Sequence, residues 1–411
     1  MRQIALFPSD YFDGKIADAM LQKEYDACRE TGLYEVVLFN YEKWFCDNRL
    51  SLSFTPERET EAVYRGWMMH PDRYTDFYDR LLMKNIRLIT TPEQYSLMHL
   101  FPNIRPAFGD DTPETMVFPA GTAVDLSAIR RKFDRFMVKD YVKSVKGTDF
   151  PVCFSADEDE AVFAAWMKKF YDYRGELFTG GICIKEYVDL KKYDGHANEY
   201  RVFYAGGEVI SICKNSGQNP LTPEPPRNLI EKYRNLGSPF YTVDYAELAN
   251  GKWKVLEAGD GSVSGLSDGQ NAAAFFRALF FALFGITGMS KLPDDMLRTE
   301  QRIDVDGMVK LVVSQFPEQE SAVEDTTALD GHMIGHTFAS FAISQPMISL
   351  FNNDKDKFEK YCTLIEQLFR CGNDDVHDIL NITILEELEQ DSSVWKGLLA
   401  HVGDEFKRYI G

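Results

Sequence analysis

Between Phe240 and Leu266 two apolar-alternating runs, Phe240 to Tyr245 and Trp253 to Leu256, flank Ala249-Asn250-Gly251-Lys252. Asn-Gly between such runs is the strongest short-range signal for a β-hairpin. The hairpin carries Asp244 near the end of its first strand and Glu257 just past the core of its second, and folding sets the two side by side. Carboxylates held that close repel each other unless a cation sits between them, and an oxygen-only pair suits Mg²⁺, which fills its shell with water and substrate phosphates. A Mg-nucleotide site is therefore the functional reading of this stretch. The competing reading is two solvated strand-end residues, and the rest of the chain decides between them.

The chain has 411 residues, 45% of them hydrophobic and 13% aromatic, enough for two or three domains with cores of their own. No run reaches the roughly 18 to 20 apolar residues of a membrane span; the richest, Ala272 to Phe284, is interrupted by Arg277. The N-terminal residues run straight into a strand-like segment without the features of a signal peptide. Seven cysteines without Cys-x-x-Cys spacing predict reduced thiols in a cytoplasmic protein and no structural zinc. The net charge of −19 opposes any binding mode that needs a broad basic footprint. Against that background seven basic residues cluster between Arg130 and Lys146, a local patch suited to a nucleotide or a chain end rather than a duplex groove.

In chain order, residues 1–105 read as a small α/β unit in which strands at Ile4–Phe7, Glu35–Phe39, Glu61–Met69 and Arg87–Thr90 alternate with helices, which points to a parallel sheet. Arg65, set among apolar residues beside Gly66, needs an anionic partner if it is buried. Residues 106–295 form a second unit. There Phe136-Met137-Val138 is a strand leading to Lys139, Lys143 and Ser144, whose ammonium and hydroxyl groups could meet phosphates; no Walker A motif is present. Glu199 to Tyr204 and Glu208 to Ile212 form another hairpin through Gly206-Gly207, with Arg201 facing either a ligand or Glu199. Residues 296–411 have helical spacing throughout and hold 20 acidic against 9 basic residues from position 301 onward. Their histidines, His332, His336 and His377, read as core or surface residues rather than ligands.

The order of these pieces resembles the ATP-grasp superfamily over residues 1 to about 290. The resemblance implies an ATP-grasp fold, a mixture of α/β and α+β units followed by an all-α C-terminal domain. It implies that Lys139 touches the nucleotide phosphates and that Lys185, Glu186, Tyr187 and Val188 line the adenine pocket. Asp189 would then reach the ribose, Arg201 a phosphate or acyl phosphate, and Asp244 and Glu257 would hold Mg²⁺. Tyr64-Arg65-Gly66-Trp67 with Val138-Lys139-Asp140 and Lys143-Ser144 resembles the phage and bacterial clade predicted to be RNA ligases, marked by one arginine and two lysines, here Arg65, Lys139 and Lys143. Two positions depart from the pattern. Gly259 stands where that family has Asn, with Asp260 following as the substitute metal ligand, and Asp140 stands where proline commonly follows the phosphate lysine. The acidic tail resembles a helical module appended to such proteins, open to a protein partner. The implied activity is an ATP- and Mg²⁺-dependent ligase acting on an RNA end or joining a carboxylate to an amine; the alternative is a nucleotide-binding regulatory or immunity-type protein without turnover.

Overall fold

The computed structural model describes residues 2–215, 218, 222–285, 303–327, 334–403 and 406–407. The chain divides into two compact units, Met1–Thr299 and Glu300–Gly411; the expected boundary after Asp295 lies outside the described residues.

The first unit begins with a four-stranded parallel sheet of β1 (Gln3–Pro8), β2 (Tyr34–Phe39), β3 (Thr60–Tyr64) and β4 (Ile86–Leu88), ordered β2-β1-β3-β4. Both faces are covered, which is why these strands read as continuous apolar runs rather than alternating ones. Ile4 and Leu6 pack with Tyr74, Phe77 and Leu81 on one side. Ala5 and Phe7 pack with Phe275 and Phe276 of the later helix Ala272–Phe284 on the other.

Two antiparallel sheets follow. The first contains β5 (Thr115–Pro119), β6 (Arg135–Asp140), β7 (Phe154–Ser155) and β8 (Gly181–Glu186), ordered β5-β8-β6-β7. The amphipathic helix Glu160–Arg174 lays Phe163, Met167 and Phe170 on it. Asp159 caps that helix by accepting from the Ala161 and Val162 amides. After a two-residue ladder of β9 (Lys192–Tyr193) and β10 (His196–Ala197), the second sheet is built from β11 (Glu199–Ala205), β12 (Glu208–Lys214), β13 (Phe240–Glu247) and β14 (Trp253–Asp260), ordered β12-β11-β13-β14. Val202, Tyr204, Tyr241, Val243 and Tyr245 bury one face with Phe101 and Tyr233, while Phe203 and Phe240 on the other meet Phe275. The opening hairpin is present with longer strands than the alternation predicted, so Glu257 lies within β14 rather than beyond it. Its turn is a three-residue loop, Ala249 to Gly251, rather than the two-residue turn of the Asn-Gly signal: Leu248 pairs with Lys252, only Gly251 takes a left-handed φ of +79°, and the Asn250 side-chain Oδ1 accepts from the Lys252 amide.

The second unit is helical, and among its described residues no strand longer than the single bridge Ile303–Gly372 occurs. Its core runs through Met308, Val312, Phe338, Tyr361, Leu368, Leu380 and Leu398. Part of its acidity has a local cause, since Asp304, Asp354 and Asp391 each cap a helix N-terminus through their carboxylates. His336 bonds to Thr383 and His377 to the Phe369 carbonyl, as the reading of core or surface histidines expected; His332 lies outside the described residues.

Candidate active site

Regular pairing near the β13–β14 turn sets Glu247 opposite Trp253 and Tyr245 opposite Val255. Continued without a break, it would put Asp244 opposite Leu256, and Glu257 opposite Val243 on the buried face. A bulge between Asp244 and Tyr245 absorbs Leu256, so that Asp244 pairs with Glu257. Directly opposed residues share a face of the sheet, and the bulge therefore brings the two acids together. Arg201, opposite Asp244 on β11, joins them and grips its carboxylate in a bidentate pair, Nε to Oδ1 and Nη2 to Oδ2, both at 2.8 Å. Arg201 thus chooses Asp244 over Glu199, which accepts from Asn215 instead.

The other sheet supplies lysines. Lys139 at the end of β6 is 1% exposed and donates to Glu257; Lys185 of β8 is 4% exposed and donates to the Leu256 carbonyl. Both ammonium groups also lie over the ring of Phe101, at 5.1 and 4.8 Å from its centroid. Burial pushes Lys185 down to about 8 despite the opposing pull of Glu257. Burial would raise the Glu257 carboxyl, but Lys139 and Lys185, with Lys143 behind them, overcome it and hold it at about 2. Glu257 is deep in the fold yet keeps 41% of its side-chain surface.

Lys143 is aimed by Asp140, a residue the sequence reading noted only as a departure from proline. The Asp140 carboxylate is fully buried, accepts from the Val142 and Lys143 amides and from Arg174 Nε at 2.7 Å, and so closes the turn that carries Lys143. Ser144 folds back to bridge Lys139. Asp140→Ala is expected to cost about 3–5 kcal/mol, the usual loss when one partner of a buried ion pair is removed, read as a lower urea midpoint for the first unit. Asp140→Asn, which keeps an acceptor for the amides, should lose less.

These groups surround a cavity of about 120 Å³ lined by Lys143, Arg201, Asp244, Glu257, Asp260 and His99, with Met68 at its edge. His99, stacked on Tyr95 at 4.8 Å, is kept neutral by burial and then by Lys143, with its pKa lowered to about 4. Nothing in the sequence pointed to it, because it closes an ordinary helix, Pro92–His99. Asp260 is buried too. Its Oδ1 accepts from the Ser262 amide, its Oδ2 has no hydrogen-bond partner, and burial raises its pKa to about 7 against the pull of Ser262 and Arg65.

Eight predicted residues are not part of the cavity wall: Lys139, Ser144 and Lys185, placed above, and Arg65, Glu186, Tyr187, Val188 and Asp189. Arg65 is buried, as its apolar setting demanded of a charged residue with a partner, but the anion it meets is Glu24, at 2.7 and 2.9 Å. Its remaining donors go to the Gly261 and Ser264 carbonyls, so the guanidinium is spent on the protein and does not face a ligand. Gly66 beside it donates to the Ser262 carbonyl at 3.0 Å, and a Cβ there would strike the Tyr64 ring at 2.5–2.7 Å. Beyond β8, the Glu186 carboxylate accepts from the Glu114 amide, and Asp189 pairs with Arg135, whose guanidinium also lies over Tyr187. Val188 is half-buried on the same connection to the second sheet. The basic patch disperses: Arg130 pairs with Glu160, Lys132 with Glu114, Arg135 with Asp189 and Lys139 with Glu257. Among the described residues no group of three His, Cys, Asp or Glu side chains is arranged to hold a metal by itself.

Residues 130–279, which carry these lysines, Arg201 and the facing carboxylate pair, match the model of an ATP-grasp domain. Within that class the segment matches the family described as ATP-grasp domain, R2K clade family 3, while residues 309–410 match a domain of unknown function, DUF7674. No curated protein matches the sequence. Similar solved structures include the ATP-grasp ligase PsnB with minimal precursor, Mg and ADP, at 11% identity and TM-score 0.44, covering 68% of this chain and 97% of that one. D-cycloserine synthetase DcsG is similar at 17% identity and TM-score 0.45, covering 67% and 98%. D-alanyl-alanine synthetase A from Vibrio cholerae O1 biovar eltor is similar at 10% identity and TM-score 0.47, covering 68% and 97%. Similarities at this level carry no information about substrate.

Proposed function

We propose that this protein is an ATP- and Mg²⁺-dependent ligase that activates a carboxylate and passes it to an amine. The observation that carries the reading is the gathering of Lys139, Lys143, Lys185 and Arg201 around the Asp244–Glu257 pair, with Lys143, Arg201 and the two carboxylates lining one cavity. Cations in excess of carboxylates suit a polyphosphate. The pair suits Mg²⁺, because Asp244 and Glu257 offer hard oxygens from adjacent strands; Asp260, fully buried with its Oδ2 lacking a hydrogen-bond partner, lines the same cavity without joining them in a three-residue metal cluster. With so few protein ligands, the ion would take the rest from phosphate and water. In this reading Arg201 and Lys139 turn from the carboxylates toward phosphate when nucleotide enters, the backbone of Lys185 to Val188 with Asp189 receives the adenosine, and the Lys185 ammonium faces the phosphates. The bound ion would neutralise charge on the phosphoryl oxygens. The carboxylate attacks the γ-phosphate and ADP leaves, giving an acyl phosphate; the amine then attacks its carbonyl carbon, phosphate departs with the C–O electron pair, and the nitrogen gives up a proton to solvent.

Four of the seven basic residues between Arg130 and Lys146 are engaged in ion pairs, which weakens the compositional support for an RNA end. Seven free cysteines agree with a reducing, cytoplasmic setting, and no helix among the described residues is long and apolar enough to cross a membrane. The test is ADP release from Mg-ATP with panels of carboxylates and amines, set beside RNA with free ends. Turnover with the former is expected. Sealing of RNA alone would reassign the acceptor, and tight Mg-nucleotide binding without turnover in any panel would leave only a clamp.

Lys185 gives a pH signature. Free of nucleotide it deprotonates near 8; a phosphate beside it favours the charged form and raises that value, so binding takes up a proton above pH 8. Affinity for Mg-ATP should therefore fall as pH rises past about 8, by up to about tenfold per unit. Calorimetric titration of Lys185→Met should give weaker binding at pH 7 and no such slope.

A further inference from the structure

In an open α/β sheet, ligands gather outside the carboxyl ends of the strands where the strand order reverses. In the sheet ordered β2-β1-β3-β4 that point lies between β1 and β3. The loops leaving it are residues 9–20 and 65–70; Trp67 Nε1 donates to Asp18 Oδ2 at 3.0 Å and so ties them together, while the first closes on itself where Ser9 pairs with Ala17. These loops hold an unusual share of bare apolar surface, with Phe12 at 92% exposure, Met20 at 78%, Ile16 at 53%, Met68 at 39% and Trp67 at 38%. Apolar surface grouped in this way marks a contact site. Met68 also lines the cation-lined cavity, so the 65–70 loop reaches the candidate active site. Its charge is acidic on the loop, where Asp10, Asp13 and Asp18 stand against Lys15, and balanced on the neighbouring segment, where Glu42 and Asp47 stand against Lys43 and Arg49.

We infer that this rim docks the acceptor, and that the acceptor is a peptide segment with aromatic or aliphatic side chains and a positive charge. Apolar side chains would cover Phe12, Ile16, Met20 and Trp67, and the acidic border would favour a cationic chain and repel a phosphate backbone. The inference rests on the ligase reading and names its substrate class. It also gives the cavity a direction of entry, past Met68 toward Asp244 and Glu257.

The test uses the full chain and three labelled probes followed by fluorescence anisotropy: a ten-residue peptide of Phe, Leu and Lys, the same peptide with Glu for Lys, and a twelve-nucleotide RNA. The basic peptide is expected to bind best, and the double variant Phe12→Ser/Met20→Ser to weaken it at least tenfold while Mg-ATP affinity stays at the wild-type value. Trp67→Ser should weaken it independently. Equal binding by wild type and the double variant, equal binding of the acidic peptide, or displacement of the peptide by RNA would each overturn the assignment. Loss of Mg-ATP binding in the wild type would instead strike the ligase reading, so the two failures are separable.

Discussion

Glu257→Gln is expected to abolish ligation, with ATP turnover reduced at least about 100-fold, since even groups behind a metal's direct ligands cost 10- to 100-fold when removed. The substitution keeps the side chain's shape and leaves the β13–β14 bulge in place, so the fold of the first unit should persist. What it removes is the charge that Lys139, Lys185 and Lys143 hold ionised, with a pKa of about 2. The decisive measurement is nucleotide affinity with and without Mg²⁺. In the wild type Mg²⁺ should strengthen binding. In Glu257→Gln the cation surplus around the cavity grows, so metal-free ATP should bind at least as well as before while the benefit of Mg²⁺ disappears. If Mg²⁺ still strengthens binding to the same degree in the variant, Glu257 is not a metal ligand, and its role reduces to pairing with Lys139.

The hairpin that organises this site was legible because Asn250-Gly251 has few other uses, and the acids were legible because polar residues interrupt an apolar alternation. Their meeting was not. By parity, a hairpin that sets Glu247 opposite Trp253 places Asp244 and Glu257 on opposite faces, and only the bulge at Leu256 reverses this. A bulge is decided by what surrounds the strand, here by Lys185 donating to the Leu256 carbonyl from another sheet, and no local pattern announces it. The resemblance assigns Lys185 to the adenine pocket through its backbone and says nothing of its ammonium, which sits beside Glu257 and Phe101. Asp140 and His99 were missed for a related reason. Each acts through partners brought in by tertiary structure, Arg174 and Lys143 respectively, whereas sequence spacing reports only neighbours along one element.

Arg65 marks the limit of such reading most clearly and leads to the second large effect. Its apolar setting correctly demanded an anion, but sequence alone could not say whether that anion is substrate or protein. Glu24 answers it from 41 positions away, and with both side chains nearly enclosed the pair is a buried one. Arg65→Met should lower the stability of the first unit by about 3–5 kcal/mol, because it strands Glu24 without a counter-charge and leaves the Gly261 and Ser264 carbonyls without their donor. Urea denaturation followed on signals from that unit would read the loss. Adding Glu24→Gln should recover part of it, since the unpaired charge goes while the carbonyls stay unsatisfied. The same guanidinium fastens the loop after β14, and that loop supplies Val263, Ser264 and Gly265 to the cavity wall. The double variant, where it remains folded, should therefore still bind nucleotide more weakly than wild type. Wild-type nucleotide affinity in the folded double variant would show that the loop holds its place without Arg65, and that the arginine serves stability alone.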